Sequence, residues 1–294
     1  MINTMPSRYY IWIRCVAVGL LVVGCTANRY AETNKVYKEQ VKALAGELSL
    51  LPSPPEAGPI TQYVPDADSV VFSENSGPAA GSWVGTVNFN LRKPNYVIIH
   101  HTAQDSLEQT LHTFTVTHTQ VSAHYVIGRE GEVYQLLNDY LRGWHAGVGK
   151  WGNITDLNSV SLGIELDNNG REPFSEAQLY SLIRLLGRLK AKYNIPAANF
   201  IGHGDIAPTR KNDPSVLFPW KRLAEAGFGL WPGESAEVPP EGFNPKDALR
   251  IIGYDVSDYG AAVTAFKRHY IPNDPSPGLT TENLKVLYSL YLEL

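Results

Sequence analysis

Residues 96–100 read YVIIH, an apolar run rich in β-branched side chains. A run of this kind is expected of a strand buried on both faces, because a strand with one face in water alternates apolar and polar residues. SLGIEL, residues 161–166, has the same character and carries Glu165. A sheet built from such strands needs cover on both sides, and the intervening sequence supplies it. SLEQTLHTFT, from Ser106, puts Leu107, Leu111 and Phe114 on one helical face behind a serine cap. SEAQLYSLIRLLGRLKAKYN, residues 175–194, opens with Ser175 and Gln178 in capping-box spacing and stops before Pro196. HYVIGREGEVYQL, residues 124–136, reads as two strands around a turn at Gly131, and FIGH, residues 200–203, as a short strand that ends on His203. The expected fold class is therefore α/β, a mixed β-sheet flanked by helices, mixed because a hairpin is included. Chemistry should then collect at strand ends and in the loops that follow them.

A chain of 294 residues with 44% apolar residues has room for one sizeable domain and a smaller one. Its net charge of −4 offers no basic surface to a polyanion, so nucleic-acid binding is not expected. At the N-terminus, Arg8 and Arg14 precede CVAVGLLVVG, residues 15–24, an apolar run too short to span a bilayer. Residues 1–24 read as a secretory signal peptide. The run ends in LVVGC, which resembles the lipobox of bacterial lipoproteins, with Val22 where leucine is commoner. That resemblance implies lipidation of Cys25 and, with Thr26 rather than aspartate next, an outer-membrane lipoprotein facing the periplasm. Cys15 would be removed with the signal, leaving no pair for an internal disulfide. Residues 25–84, polar and then proline-rich, read as a tether and lead-in. Val36, Leu44 and Leu48 could form a weak helical stripe there, but a solvated linker is the main expectation. As a flexible coil, the stretch 26–60 reaches roughly 30 Å.

The segment HGDIAPTRKNDP, residues 203–214, packs charge between Gly204, Pro208 and Pro214 and reads as a loop. It either lies in water or holds something. Together with the strand-end His100, its His203 and Asp213 make two imidazoles and a carboxylate, the donor set of an open zinc site. No cysteine remains for a closed structural site, so a catalytic metal is the more natural inference. Spacing alone leaves a chance arrangement open, since eight histidines offer many pairs. Glu165, set in an apolar strand, reads without further context as a buried carboxylate paired with an arginine. His101 points to the strand face opposite His100 and reads as a core histidine bonded to backbone. Asp167 and Asp205 read as loop or capping residues, and His112, His118 and His269 have no evident partner.

Taken in order, YVIIHHTA, SAHYVI, REGEVYQL, WHAG, SVSLGIEL and GHGDIAPTRKNDPSVLFPW resemble the successive signatures of the type 2 zinc N-acetylmuramoyl-L-alanine amidases, relatives of the peptidoglycan-recognition proteins. The resemblance spans residues 85–232 and is nearest to the family's envelope lipoproteins. It implies zinc bound by His100, His203 and Asp213, with Glu165 and Lys211 as the catalytic pair. It also places His124 and His145 along the cleft as substrate contacts, and Trp144 beside them could stack on a sugar ring. Lys211 could instead only bridge to Asp213, and Trp144 could be an ordinary core residue.

GESAEVPPEGFN, residues 233–244, marks a linker. Beyond it, residues 245–294 show three amphipathic helical patterns that resemble a small three-helix peptidoglycan-binding domain, with an inert appendage as the other reading. The sequence thus predicts a monomeric zinc amidase that takes peptidoglycan as substrate and is held at a membrane by its lipid. Two further classes compete with it. One is a non-catalytic peptidoglycan-recognition lipoprotein, against which the complete ligand set argues. The other is a zinc peptidase acting within the stem peptide.

Overall fold

The computed structural model describes residues 93–233 and 237–294, together with residues 32, 35, 36, 39 and 42. The expected signal peptide and Cys25 lie outside the described residues. The five isolated residues are helical and exposed, Val36 among them. The described residues from 93 onward belong to one compact unit.

Its centre is a five-stranded sheet. In chain order the strands are β1 (Tyr96–His101), β2 (Tyr125–Ile127), β3 (Val133–Gln135), β4 (Ser161–Leu166) and β5 (Phe200–Gly202). Their spatial order is β3-β2-β4-β1-β5. β2, β4, β1 and β5 run parallel, and β3 returns antiparallel to β2 at the edge. The mixed sheet read from the sequence is present, and the hairpin is what makes it mixed.

Alternation along the central strands sends their apolar side chains both ways. Val97, Ile99, Leu162, Ile164 and Leu166 face one side, where Leu182, Leu185, Leu186 and Leu189 cover them. Those leucines belong to α2 (Glu176–Tyr193). A shorter helix, α1 (Leu107–Thr113), precedes it in the chain and is capped by Ser106 as expected. Ser175 also caps α2 by accepting from Gln178 N, but the reciprocal half of the capping box does not form. The Gln178 side chain instead donates to Ile127 O and Asp167 O, because it is buried against the ends of β2 and β4, where these carbonyls are the acceptors in reach.

On the other side, Ile98 and Ile201 join Leu249, Phe266, Leu287 and Leu290 in one apolar cluster. The latter four come from α5 (Pro245–Ile252), α6 (Tyr259–Tyr270) and α7 (Thr281–Leu292), close to the three patterns read from the sequence. Among the described residues these helices close their core together with the sheet. Between β5 and α5 lie α3 (His203–Ile206) and α4 (Trp220–Glu225).

Candidate active site

Parallel pairing of β1 with β4 sets His100 opposite Glu165, on the face shared with Ile98. β5, on the other flank of β1, ends at Gly202 and passes into α3, whose first residue is His203. The stretch read as loop thus begins with one helical turn. Pro208 and Pro214, which argued against helix, both lie beyond Ile206 and do not interrupt it. The chain then folds back, with Lys211 N donating to Ala207 O and Gly204 N to Asp213 O at 2.9 and 2.7 Å. This return brings Asp213 beside His203.

The three expected ligands meet. His100 Nδ1 lies 2.9 Å from His203 Nδ1 and 3.1 Å from Asp213 Oδ2, and His203 Nδ1 lies 3.0 Å from the same oxygen. All three residues are buried, at 2%, 4% and 8% exposure. Corners of a triangle with sides near 3.0 Å stand about 1.7 Å from its centre, so a point just off its plane lies within the ~2.0–2.2 Å bonding range of all three donors. The donor set fits a zinc-type cation.

The other ring nitrogens have partners that fix the tautomers. His203 Nε2 lies 3.0 Å from Ala146 O, which can only accept, so that nitrogen carries a proton and Nδ1 is the one a metal would take. For His100 the same result comes through a relay. Ser161 Oγ donates to Leu157 O, His145 Nε2 faces Ser161 Oγ at 3.4 Å, and His145 Nδ1 is left to accept from His100 Nε2 at 3.2 Å. Gly163 makes room for the relay, because a Cβ there would stand 2.4 Å from the His145 ring.

Glu165 is close to this centre without joining it, its Oε1 lying 3.9 Å from His100 Nδ1. Burial pushes its carboxyl up to about 8, helped by repulsion from Asp213 and opposed by Lys211. Those charged neighbours replace the arginine that a merely structural carboxylate would have. Burial and the neighbouring His203 pull His100 down to about 4, so its imidazole is neutral at pH 7. Burial opposes ionisation of Asp213, but hydrogen bonds with His100 and His203 override it and hold the carboxyl well below its usual range. A neutral His100 and an ionised Asp213 are therefore already in the states that ligation requires.

The remaining expected residues separate. His124 is buried, with Nδ1 accepting from Gly163 N and Nε2 facing Leu141 O, so both nitrogens serve the backbone. His145 is buried in the relay. Trp144 is 55% exposed, beside the segment whose carbonyls at Ala146 and Val148 accept from Arg210. His101 faces the opposite side, as expected, and accepts from Ser215 N. Asp167 binds Thr110 Oγ1 and Arg129, and Asp205 caps Gly202 N. Sequence reading missed Ser161, although it stands on the same strand face as Glu165 at even spacing and could have been found from that parity.

The family model for N-acetylmuramoyl-L-alanine amidase matches residues 90–216. The amidase AmiD of Escherichia coli K12 is 34% identical over 208 residues, spanning 60% of this chain and 74% of AmiD. This chain belongs to that amidase family. A solved structure of E. coli AmiD in complex with the substrate anhydro-N-acetylmuramic acid-L-Ala-D-gamma-Glu-L-Lys superposes with a TM-score of 0.63 at 30% identity, covering 71% of this chain and 93% of AmiD. AmpDh3 of Pseudomonas aeruginosa gives 0.63 at 26% identity, covering 76% and 98%. The protein is an N-acetylmuramoyl-L-alanine amidase, an amidohydrolase that cuts between N-acetylmuramic acid and L-alanine.

Outer-shell partners of metal-bound histidines typically govern affinity by 10–100-fold. His145→Ala is accordingly expected to weaken by about that factor whatever affinity this site has for added divalent metal, measured by competition with a chromophoric chelator. Unchanged affinity would show that the relay has no part in presenting His100.

Proposed function

We propose that this amidase depends on zinc held by His100, His203 and Asp213, with Glu165 moving the proton and Lys211 countering the charge that develops on the substrate. The observation that carries the reading is the convergence of three buried donor atoms within 2.9–3.1 Å of one another. Zinc in that position would polarise the scissile carbonyl and make water a competent nucleophile near neutral pH. Glu165, within reach of the centre but outside the donor triangle, accepts the attacking water's proton and returns it to the departing L-alanine nitrogen. A carboxyl poised near neutrality by burial suits both halves of that transfer. Lys211 is near enough to lower the pKa values of His100 and Glu165, and its ammonium opposes the oxyanion of the tetrahedral intermediate.

The substrate we infer is a muramoyl peptide of peptidoglycan. The ligand in the AmiD complex extends this inference to anhydro-muramoyl ends. Zinc analysis of the purified chain, with mass analysis of fragments from sacculi and from an anhydro-muramoyl tripeptide, tests both parts. Intact stem peptides beginning with L-alanine support the reading, and fragments cut within the stem would replace it with a peptidase.

With His124 and His145 committed to internal partners, substrate contact at the rim falls to Trp144. Trp144→Ala should raise KM by about 2–13-fold, the worth of roughly 0.5–1.5 kcal/mol of stacking, and leave kcat nearly unchanged. An unaltered KM would remove Trp144 from the cleft's binding surface.

The lipobox-like LVVGC supports lipid anchoring through Cys25 and an outer-membrane location facing the periplasm. Cys25→Ala should release the protein from the membrane fraction, and retention there would count against the anchor. We also read the C-terminal helices as a three-helix element that retains peptidoglycan. Side chains such as Ile251 leave an apolar surface facing outward, and sedimentation with sacculi tests the retention.

A further inference from the structure

The inner side of the C-terminal helices meets the metal loop at a point that neither polymer retention nor an inert appendage requires. Asp205 stands two residues after His203 and is almost fully buried. Its carboxylate has three partners. Oδ2 accepts from Gly202 N at 2.7 Å and from His269 Nδ1 at 2.8 Å, while Oδ1 accepts from the Tyr254 hydroxyl at 3.0 Å. Gly202 N belongs to the turn that starts α3, so the carboxylate fixes the turn that presents His203. Two of its three partners come from the C-terminal region: Tyr254, which follows α5, and His269 in α6.

His269 is itself held tightly. Its ring stacks on Trp220 at 3.8 Å between centroids and on Tyr270 at 4.1 Å, both nearly parallel. Its Nε2 has no hydrogen-bond partner and the residue borders a cavity of about 10 Å³ that Asp213 also lines. The residue before it, Arg268, reaches the other end of the loop. Arg268 Nη1 donates to Lys211 O at 3.4 Å, and a Cβ on Gly204 would come within 2.6 Å of that nitrogen. Helix α6 thus meets the loop beside His203 at one end and beside Asp213 at the other.

We propose that His269 is a positioning residue for the metal centre. Through Asp205, with Tyr254 and Arg268 in support, the C-terminal helices hold the 203–213 loop in the geometry that brings His203 and Asp213 together. The C-terminal region is then part of the catalytic unit. The physical reason is the cost of a buried carboxylate. Asp205 can stay beside the ligand turn only while donors surround it, and the amidase fold itself supplies one of the three. Removing the His269 donor frees the turn to tilt, and a displacement of a few tenths of an ångström at His203 is enough to spoil a three-point grip. The inference rests on the zinc reading above.

The test uses the full chain and measures zinc dissociation by chelator competition, together with Tm and kcat/KM. His269→Phe keeps an aromatic ring between Trp220 and Tyr270 and removes the donor. His269→Asn gives up the stack but places an amide N–H where Nδ1 stood. The expected result is zinc binding weakened about 10–100-fold in His269→Phe, the range for outer-shell losses, and largely restored in His269→Asn. Tyr254→Phe, which removes one hydroxyl and adds no bulk, should weaken zinc in the same direction by less, and it decides the matter if His269→Phe does not fold. Zinc affinity in these variants within twofold of the parent, or weakened affinity that follows Tm alone with no recovery in the folded Asn variant, would overturn the proposal. A parent chain that takes up no zinc would instead overturn the metal reading itself, so the two failures are distinguishable.

Discussion

Glu165→Gln is expected to lower kcat/KM by about 10²- to 10⁴-fold, the range of a general acid–base group, while the chain keeps its full complement of zinc. The amide side chain fills the same space between β4 and the centre and cannot take a proton from water. Glu165 Oε1 is 3.9 Å from His100 Nδ1 and outside the donor triangle, so the ligands lose nothing. The same substitution has a second, independent signature. In the metal-free protein Glu165 rises from 4.5 to about 8. A folded-state value above the unfolded one contributes stability that is fully present below pH 4.5 and is lost as pH rises through 8. Metal-free parent protein should therefore lose Tm relative to Glu165→Gln between those limits. Zinc should narrow the gap, because a nearby cation favours the ionised carboxylate. Parallel Tm curves across that window would show that Glu165 is not the buried, poised group described above, and near-normal turnover in Glu165→Gln would remove it from proton transfer.

The sheet and the buried His100, His203 and Asp213 cluster were legible for the same reason. Strands buried on both faces show as unbroken apolar runs, and a polar residue at the end of such a run has few places to point except the edge where chemistry collects. His100, Glu165 and His203 all announce themselves this way, and strand parity correctly set His101 apart from His100. What was not legible depends on which carbonyl or nitrogen a side chain finds across the fold. Gln178 had the spacing of a capping box, but two strand carbonyls outcompeted the cap. His124 and His145 carried a cleft motif, but their partners are Leu141 O, Gly163 N, His100 and Ser161, distributed over three separate segments. His269 had no evident partner, because Asp205 is 64 residues away and joins it only when α6 packs on the loop. Amphipathic patterns located the C-terminal helices well. They could not show that the apolar face of those helices would close against Ile98 and Ile201 of the sheet, since one apolar surface fits another without residue-level specificity.

His203→Ala is expected to lose zinc and activity together, which distinguishes it from Glu165→Gln. An outer-shell change costs about 10–100-fold in metal affinity, and removing one of three protein donors should exceed that range, leaving little metal on the chain after dialysis. The fold should survive the change. The carbonyl that His203 Nε2 faces, Ala146 O, also accepts from Arg210 Nη2 at 2.9 Å, so it is not stranded when the imidazole goes. Two donors would remain, His100 Nδ1 and Asp213 Oδ2, 3.1 Å apart. Asp213→Asn should behave similarly by a different route. It keeps the shape of the side chain but withdraws the only negative charge among the three donors, leaving two imidazoles and an amide to compensate a divalent cation. Zinc content per chain and kcat/KM measured on the same preparations check both variants. If His203→Ala retained one zinc per chain, the ion would have to sit on other residues, and Glu165 would lose the neighbour that gives its proton transfer a purpose.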